Sequence, residues 1–218
     1  MNSKPRSMIC VSISHLDQLQ PALDAGAEML EFRLDMLGTK PEVLFDRLPA
    51  GIRTVATYRP GSVSEEERGR ELLSAIRLGA SLVDLELESS RSLVTLVMEE
   101  ATAKGCEVII SHHDFTGTPD HRSLGDILDQ CYRRGGVIAK IATTVTGRQD
   151  LMNLLSLYGL PGRKVVLGMG ELGRITRVIG PYLGAEFTFA SAGEGRETAP
   201  GQLSFEQLKE IYQVINKL

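Results

Sequence analysis

Short apolar runs alternate with longer helical stretches along the chain, and this alternation limits the possible folds more than any other feature. Eight runs rich in Val, Ile and Leu occupy residues 8–13, 28–35, 52–59, 82–87, 107–113, 137–142, 164–169 and 185–190. Helical segments are predicted at 64–80, 92–105, 123–136 and 204–218. Strands that alternate with helices are typical of α/β proteins with a parallel sheet. Eight such units in 218 residues predict a single-domain (β/α)8 TIM barrel over residues 1–218, with an open doubly wound sheet as the alternative.

The net charge and the cysteines of the chain indicate which binding partners and which cellular compartment to expect. The chain has 24 basic and 28 acidic side chains and a net charge of −4, which argues against nucleic-acid and membrane partners because both favour a basic face. Cys10, Cys106 and Cys131 are far apart and show no disulfide or metal-site spacing, a pattern typical of the reducing cytoplasm. The apolar stretch near the N-terminus is too short for a signal peptide or a membrane span.

The charged residues of two runs all belong to one set of alternate positions. Alternate residues of a strand point to opposite faces of the sheet. The charged set contains Glu31 and Arg33 in the second run, and Asp84 and Glu86 in the fourth. In a barrel this polar set must face the interior, where an isolated charge is costly unless it is paired or used.

Several ionisable side chains fall near the carboxyl ends of successive strands, the end at which barrel enzymes place their active sites. They are Glu31, Arg33, Arg59, Glu86, His113 and Lys140. With His113 neutral, three positive and two negative charges leave +1, which suits a small anion. The alternative interpretation is a solvated rim of salt bridges.

Lys140 lies in the middle of the apolar stretch "GGVIAKIATT", residues 135–144. Lysine is almost never fully buried without a partner or a purpose, and burial favours the neutral amine over the ammonium form. A neutral amine can attack a carbonyl to form an imine, which is an electron sink. The alternative is a lysine near a strand end whose head reaches water.

A histidine on the adjoining strand can move the proton that such an imine requires. His113 shares its face with Ile109 and Ser111, whereas His112 belongs to the apolar set. His113 is therefore the candidate to remove a proton next to the iminium carbon and return it to a leaving group. Glu86 is predicted to orient the His113 imidazole. The alternative is a core histidine with no catalytic role, and no metal site is expected because His112 and His113 face opposite ways.

Four motifs in this order resemble the type I 3-dehydroquinate dehydratase family. They are "EFRLD" in the second run, "SHHDF" in the fifth, "AKIA" in the sixth and "APGQ" near the C-terminus. The resemblance covers nearly the whole chain from Met8 onward. It implies a cytoplasmic dimeric lyase that converts 3-dehydroquinate to 3-dehydroshikimate in the shikimate pathway of aromatic amino-acid biosynthesis. The reaction would pass through a substrate imine and need no metal or organic cofactor.

The resemblance also implies a role for individual residues. Lys140 would form the imine, His113 would act as general acid and base, and Glu86 would be its partner. Arg177 would bind the substrate carboxylate, and Gln202 would belong to a lid. The implied substrate-binding residues together are Glu31, Arg33, Arg59, Met169, Arg177, Thr198 and Gln202.

The chain departs from the family pattern at two positions. Leu167 replaces a second methionine that many relatives carry near Met169, which changes packing in the pocket. Thr198 replaces a common serine, and its hydroxyl can make the same hydrogen bond. Neither departure removes a group that the chemistry needs.

Two other functions remain alternatives. A class I Schiff-base aldolase acting on a sugar phosphate also uses a barrel lysine, and the glycines of "GMGELG" and "SAGEG" can form a phosphate site. Glycines in loops more often serve turns. The second alternative is a noncatalytic barrel that binds a small carboxylate, but binding alone would not require Lys140, His113 and Glu86 together.

Overall fold

The computed structural model describes residues 8–61 and 63–217. Its β-strands are β1 (Ile9–Ile13), β2 (Met29–Arg33), β3 (Arg53–Thr57), β4 (Leu82–Glu86), β5 (Glu107–Asp114), β6 (Ile138–Thr144), β7 (Arg163–Met169) and β8 (Thr188–Ser191). Its α-helices are α1 (Leu19–Asp24), α2 (Leu34–Leu37), α3 (Pro41–Phe45), α4 (Glu65–Arg77), α5 (Arg91–Lys104), α6 (His121–Arg133), α7 (Arg148–Ser156), α8 (Ile175–Leu183) and α9 (Phe205–Ile215).

The strands form one parallel sheet that closes almost completely into a barrel. Its order is β7-β6-β5-β4-β3-β2-β1-β8, and each neighbouring pair is parallel. The two ends of this order meet where the backbone N–H of Glu186 donates to the Lys164 carbonyl at 3.0 Å. The predicted (β/α)8 barrel is therefore confirmed, and the open sheet is wrong.

Side-chain caps fix where the longer helices begin. Ser64, Ser90 and Asp120 each accept a hydrogen bond from a backbone N–H three residues later, at the first turns of α4, α5 and α6. Gly105 ends α5 in the left-handed conformation that glycine favours, with a φ of 70°. These local signals explain why α4, α5, α6 and α9 match the predicted helices closely.

The remaining helices and several strand boundaries differ from the sequence predictions; β3 ends at Thr57 rather than at residue 59, and β8 begins at Thr188 rather than at residue 185. Five further helices have only four to nine residues each, too few turns for a clear apolar period: α1, α2, α3, α7 and α8. The second strand ends at Arg33 rather than at residue 35, because Leu34 already begins α2. This early end brings Arg33 to the rim of the barrel.

Two separate apolar layers lie around and inside the barrel. One layer lies between the strands and the helices and includes Leu30 and Phe32. The other fills the barrel interior and includes Met29, Val55 and Ile109. Residues later in the same strands on the interior face are polar, which confirms the predicted strand parity. No helix in the described residues is long and apolar enough to cross a membrane.

Candidate active site

A cavity of about 420 Å³ opens at the carboxyl ends of the strands. It brings together all ten residues that the sequence predicted for the site. These residues are Glu31, Arg33, Arg59, Glu86, His113, Lys140, Met169, Arg177, Thr198 and Gln202.

Lys140 lies inside the barrel on β6 and is only 5% exposed. Its Nζ donates a hydrogen bond to Asp84 Oδ2 at 2.9 Å and lies 4.0 Å from Glu31 Oε1. The same nitrogen is 4.1 Å from the centre of the Phe189 ring. The alternative of a lysine whose head reaches bulk water is therefore wrong.

Asp84 is the fully buried carboxylate that faces Lys140. Arg59 donates to both of its oxygens, at 2.9 and 2.8 Å, and Ser111 Oγ donates to Oδ1 at 2.6 Å. Although burial opposes ionisation, Arg59 and Lys140 hold the pKa of Asp84 well below its usual range. Asp84 was not among the predicted site residues, yet its position two residues before Glu86 places it on the same interior face.

Two hydroxyl groups hold the Glu31 side chain in place. Ser12 Oγ donates to Glu31 Oε2 at 2.6 Å, and Thr57 Oγ1 donates to Oε1 at 2.9 Å. Both donors come from the strands that flank β2. The carboxylate is buried and keeps one fixed orientation towards Lys140.

Glu86 is held by two arginines rather than by the histidine that the sequence predicted as its partner. Arg59 Nη1 donates to Glu86 Oε1 at 2.6 Å, and Arg68 Nη2 donates to Oε2. Within the described residues, Glu86 makes no hydrogen bond to His113, because both of its oxygens face guanidinium groups. The helical period places Arg68 on the same face as Leu72 and Ile76, which indicates burial, but the sequence does not connect it to Glu86.

His113 forms one wall of the cavity, and its ring stacks on Phe115 with the centroids 6.3 Å apart. Burial and the positive charges of Arg59 and Lys140 hold the pKa of His113 well below its usual range. The imidazole is therefore neutral at neutral pH. His112 is not among the residues that line the cavity, and its Nδ1 lies 2.7 Å from a carboxylate oxygen of Glu88, which does line it.

Arg177 brings an unpaired positive charge to the cavity. The side chain is 1% exposed, and its Nε donates to the Gly201 carbonyl at 3.3 Å. Among residues 8–61 and 63–217, no carboxylate lies within ion-pair distance of it. Burial, together with nearby Arg174, lowers the pKa of Arg177 to about 10, so the guanidinium remains charged at neutral pH. The six residues counted in the sequence analysis carry a net charge of +1. Asp84 adds one negative charge and Arg177 adds one positive charge, so the net charge of the enlarged set is again +1.

The segment 191–202 lies over the cavity and is tied down by hydrogen bonds. The backbone N–H and hydroxyl of Thr198 donate to Gln202 Oε1, at 2.8 and 3.2 Å. Gln202 Nε2 donates to Ser12 Oγ at 3.3 Å, and Arg33 Nη1 lies 3.5 Å from the Thr198 carbonyl. The sequence predicts a mobile loop, and the structure shows this segment in a closed arrangement.

The glycines near β7 allow backbone segments to pack closely. A Cβ atom on Gly173 would collide with the backbone of Gly168, and one on Gly201 would collide with the carbonyl of Gly170. Gly201 also has a backbone φ angle of 74°, which residues with a side chain rarely adopt. This packing accounts for the glycines of "GMGELG" without a phosphate site, so they do not favour the aldolase alternative.

Comparisons with known proteins agree with this geometry. The family model for type I 3-dehydroquinase matches residues 9–218. The 3-dehydroquinate dehydratase of Methanocaldococcus jannaschii is 33% identical, over 96% of this chain and 99% of that protein. The type I enzyme of Clostridium difficile, solved with covalently modified comenic acid, has a TM-score of 0.85 and 25% identity over 97% of this chain and 93% of that one. The Aquifex aeolicus enzyme has a TM-score of 0.83 and 28% identity, over 97% and 100%. The chain belongs to the type I 3-dehydroquinase family.

Proposed function

We propose that this chain dehydrates 3-dehydroquinate to 3-dehydroshikimate, in the shikimate pathway of aromatic amino-acid biosynthesis, through an imine on Lys140. Membership of the family and the names of its relatives support the reaction. The observation that carries the assignment of residues is the position of Lys140, a buried amine that faces the same cavity as His113 and Arg177.

Charged and hydrogen-bonding side chains at the mouth of the barrel bind the substrate. Arg177 binds the substrate carboxylate, because it is a buried cation for which the described part of the chain supplies no carboxylate partner. Glu31, Arg33 and Arg59 contact the ring and its hydroxyl groups. Met169 contributes an apolar wall.

Imine formation keeps the charge balance of the site. The Lys140 ammonium first gives a proton to His113, and the resulting neutral amine attacks the substrate carbonyl carbon. The oxygen then leaves as water, with one proton from the amine and the proton returned by His113, and a cationic iminium remains. Asp84, 2.9 Å from Nζ, faces a positive charge both in the resting enzyme and in this intermediate. A fixed carboxylate therefore stabilises the iminium without reorganisation.

Elimination requires a base that later becomes an acid. Neutral His113 removes a proton from the carbon next to the iminium carbon, and the electron pair moves into the iminium to form an enamine. The hydroxyl one carbon further on leaves as water with the proton that His113 carries. Water then hydrolyses the product imine and frees Lys140. Glu86 contributes through Arg59, to which it is bonded, rather than by a direct bond to His113.

The segment 191–202 acts as a lid in this scheme. Thr198 and Gln202 lie over the cavity and exclude water while the imine exists, which prevents early hydrolysis. Opening of the lid admits substrate and releases product.

The direct test is to supply 3-dehydroquinate and follow the absorbance of the conjugated enone product. We expect the absorbance to rise with the wild-type chain and not with a folded Lys140→Ala variant. EDTA should leave the rate unchanged; within the described residues, no three His, Cys, Asp or Glu side chains are grouped to hold a metal ion. Failure of the folded wild-type chain to form the enone would refute the proposal, and cleavage of a phosphosugar would favour the aldolase.

We further propose that the chain works as a homodimer in the cytoplasm, with one catalytic domain over residues 1–218. The three cysteines are free and buried, which fits a reducing compartment. The homodimer is what the family resemblance implies. Light scattering on the purified chain tests it: the expected mass is twice 23.8 kDa, and a monomer at assay concentration would contradict it.

A further inference from the structure

Arg68 lies on α4, outside the barrel, yet its guanidinium group reaches a carboxylate of the active site. The side chain is 4% exposed. Its Nε donates to the Tyr58 carbonyl at 3.1 Å, and its Nη2 donates to Glu86 Oε2. Arg70, two residues along the same helix, is 63% exposed and pairs with Glu66 on the surface. Arg68 therefore lies on the buried face of α4 with Leu72 and Ile76, and among the described residues of this helix it is the one charged residue that is buried.

Arg68 is the outer end of a continuous row of alternating charges. Arg68 bonds Glu86, Glu86 bonds Arg59, Arg59 bonds Asp84, and Asp84 bonds Lys140. Every link is a hydrogen-bonded ion pair, and each member is buried or lies at the cavity wall. A change at the outer end is therefore transmitted to Arg59 through one intermediate carboxylate.

Arg59 is the member of this row that depends most on its neighbours. Its Nη1 is shared among Asp84, Glu86 and Ser111, at 2.9, 2.6 and 3.0 Å. If Arg68 were absent, Glu86 would keep a buried charge with one oxygen unpaired, which is costly. Glu86 would then draw the Arg59 guanidinium away from Asp84.

We propose that Arg68 is a positioning residue of the active site, which acts through Glu86 to hold the Arg59 guanidinium where the substrate meets it. This inference rests on the proposed function, because Arg59 is assigned there to substrate contact. Arg68 itself does not line the cavity, so it influences the reaction through its contacts: the ion pair to Glu86, which bonds Arg59, or the bond to the carbonyl of Tyr58, which precedes Arg59 in the chain.

Two substitutions separate this role from a purely structural one. In Arg68→Gln the side-chain amide nitrogen occupies the place of Arg Nε, so it can keep the bond to the Tyr58 carbonyl while the ion pair to Glu86 is lost. In Arg68→Lys the ammonium can still reach Glu86, but the bond to Tyr58 is lost. Arg70→Gln is the matched control on the same helix.

We expect folded Arg68→Gln to lose kcat/KM by up to about 100-fold, the scale of a small displacement of a substrate-binding group. Most of the loss should appear in KM. Arg68→Lys should recover most of the activity, and Arg70→Gln should match the wild type. Greater loss in Arg68→Lys than in Arg68→Gln would overturn the inference, because the Tyr58 bond would then be the important one. If Arg68→Gln does not fold, Arg68→Lys still decides: a loss of about 100-fold in that variant also overturns it.

A double-mutant cycle with Glu86→Gln identifies the route of the effect. If Arg68 acts through Glu86, the double variant should be no worse than Glu86→Gln alone. Additive losses would contradict the inference. A wild-type chain that forms no enone from 3-dehydroquinate would instead refute the proposed function, so the two failures are distinguishable.

Discussion

Lys140 and Asp84 form a 2.9 Å ion pair inside the barrel, on strands β6 and β4, with β5 between them. Asp84 is fully buried and Lys140 nearly so. Arg59 shares the same carboxylate, so one anion pairs with two cations. Because an iminium carries the same charge as the ammonium it replaces, this pair serves both the resting state and the intermediate.

Loss of the Asp84 charge should destabilise the fold. Asp84→Asn keeps the shape of the side chain but leaves Lys140 and Arg59 without their shared anion. Removing one partner from a buried ion pair typically costs about 3–5 kcal/mol in the free energy of unfolding. Urea denaturation measures this cost. Glu100→Gln, which breaks a surface pair with Arg77, should cost much less, and equal costs for the two variants would contradict the account.

The two adjacent histidines should differ strongly in their effect on the rate. His113→Ala removes the group that faces the cavity, and kcat should fall by roughly 10²–10⁴-fold. His112→Ala breaks the contact with Glu88 but removes no side chain that itself lines the cavity, so its kcat should stay near that of the wild type. The enone assay compares the two variants. If His112→Ala proves the more damaging change, the assignment of the catalytic histidine is wrong.

The low pKa of His113 should be visible in the dependence of stability on pH. A free histidine titrates at about 6.5, whereas burial, Arg59 and Lys140 hold His113 well below this value. The unfolded chain thus binds a proton that the native chain does not bind. This group therefore lowers the free energy of unfolding as the pH falls below about 6.5, until the native pKa is passed.

An NMR titration of the His113 ring gives the native value directly, with His113→Ala to assign the signal. The same variant should lack this part of the pH dependence of stability. A His113 midpoint at or above pH 6.5 would show that the ring is not the neutral base that the mechanism requires.

The lid should depend on Gln202. Gln202→Ala removes the acceptor for Thr198 and the bond to Ser12, so KM should rise while the fold remains intact. Hydrogen exchange over residues 191–202 should slow once the imine is trapped with borohydride. Equal exchange with and without the trapped adduct would mean that this segment is not a lid.

Strand parity explains how much of the site could be predicted from the sequence. A period of two is a local property, so the interior positions of Glu31, His113 and Lys140 follow from their neighbours in the chain. Because all strands of the barrel are parallel, their carboxyl ends then lie at the same end of the barrel. Asp84 was accessible to the same argument, since it shares its face with Glu86.

The partners of Glu86 could not be predicted in the same way. A pairing with His113 is consistent with strand order, but Arg59 and Arg68 occupy both carboxylate oxygens. Arg68 comes from a charge-rich helix, and the helical period places it on the buried face with Leu72 and Ile76. The period does not predict which strand residue this face meets, because Glu86 and its two arginines are distant in the chain.

The central claim is that Lys140 carries the substrate as an imine, and borohydride reduction tests it most directly. Sodium borohydride added together with 3-dehydroquinate should inactivate the enzyme and convert the imine to a stable secondary amine. Mass spectrometry of the digested chain should then find the adduct on Lys140, and borohydride without substrate should leave both the mass and the activity unchanged. Fully inactivated enzyme in which Lys140 is unmodified would contradict the account.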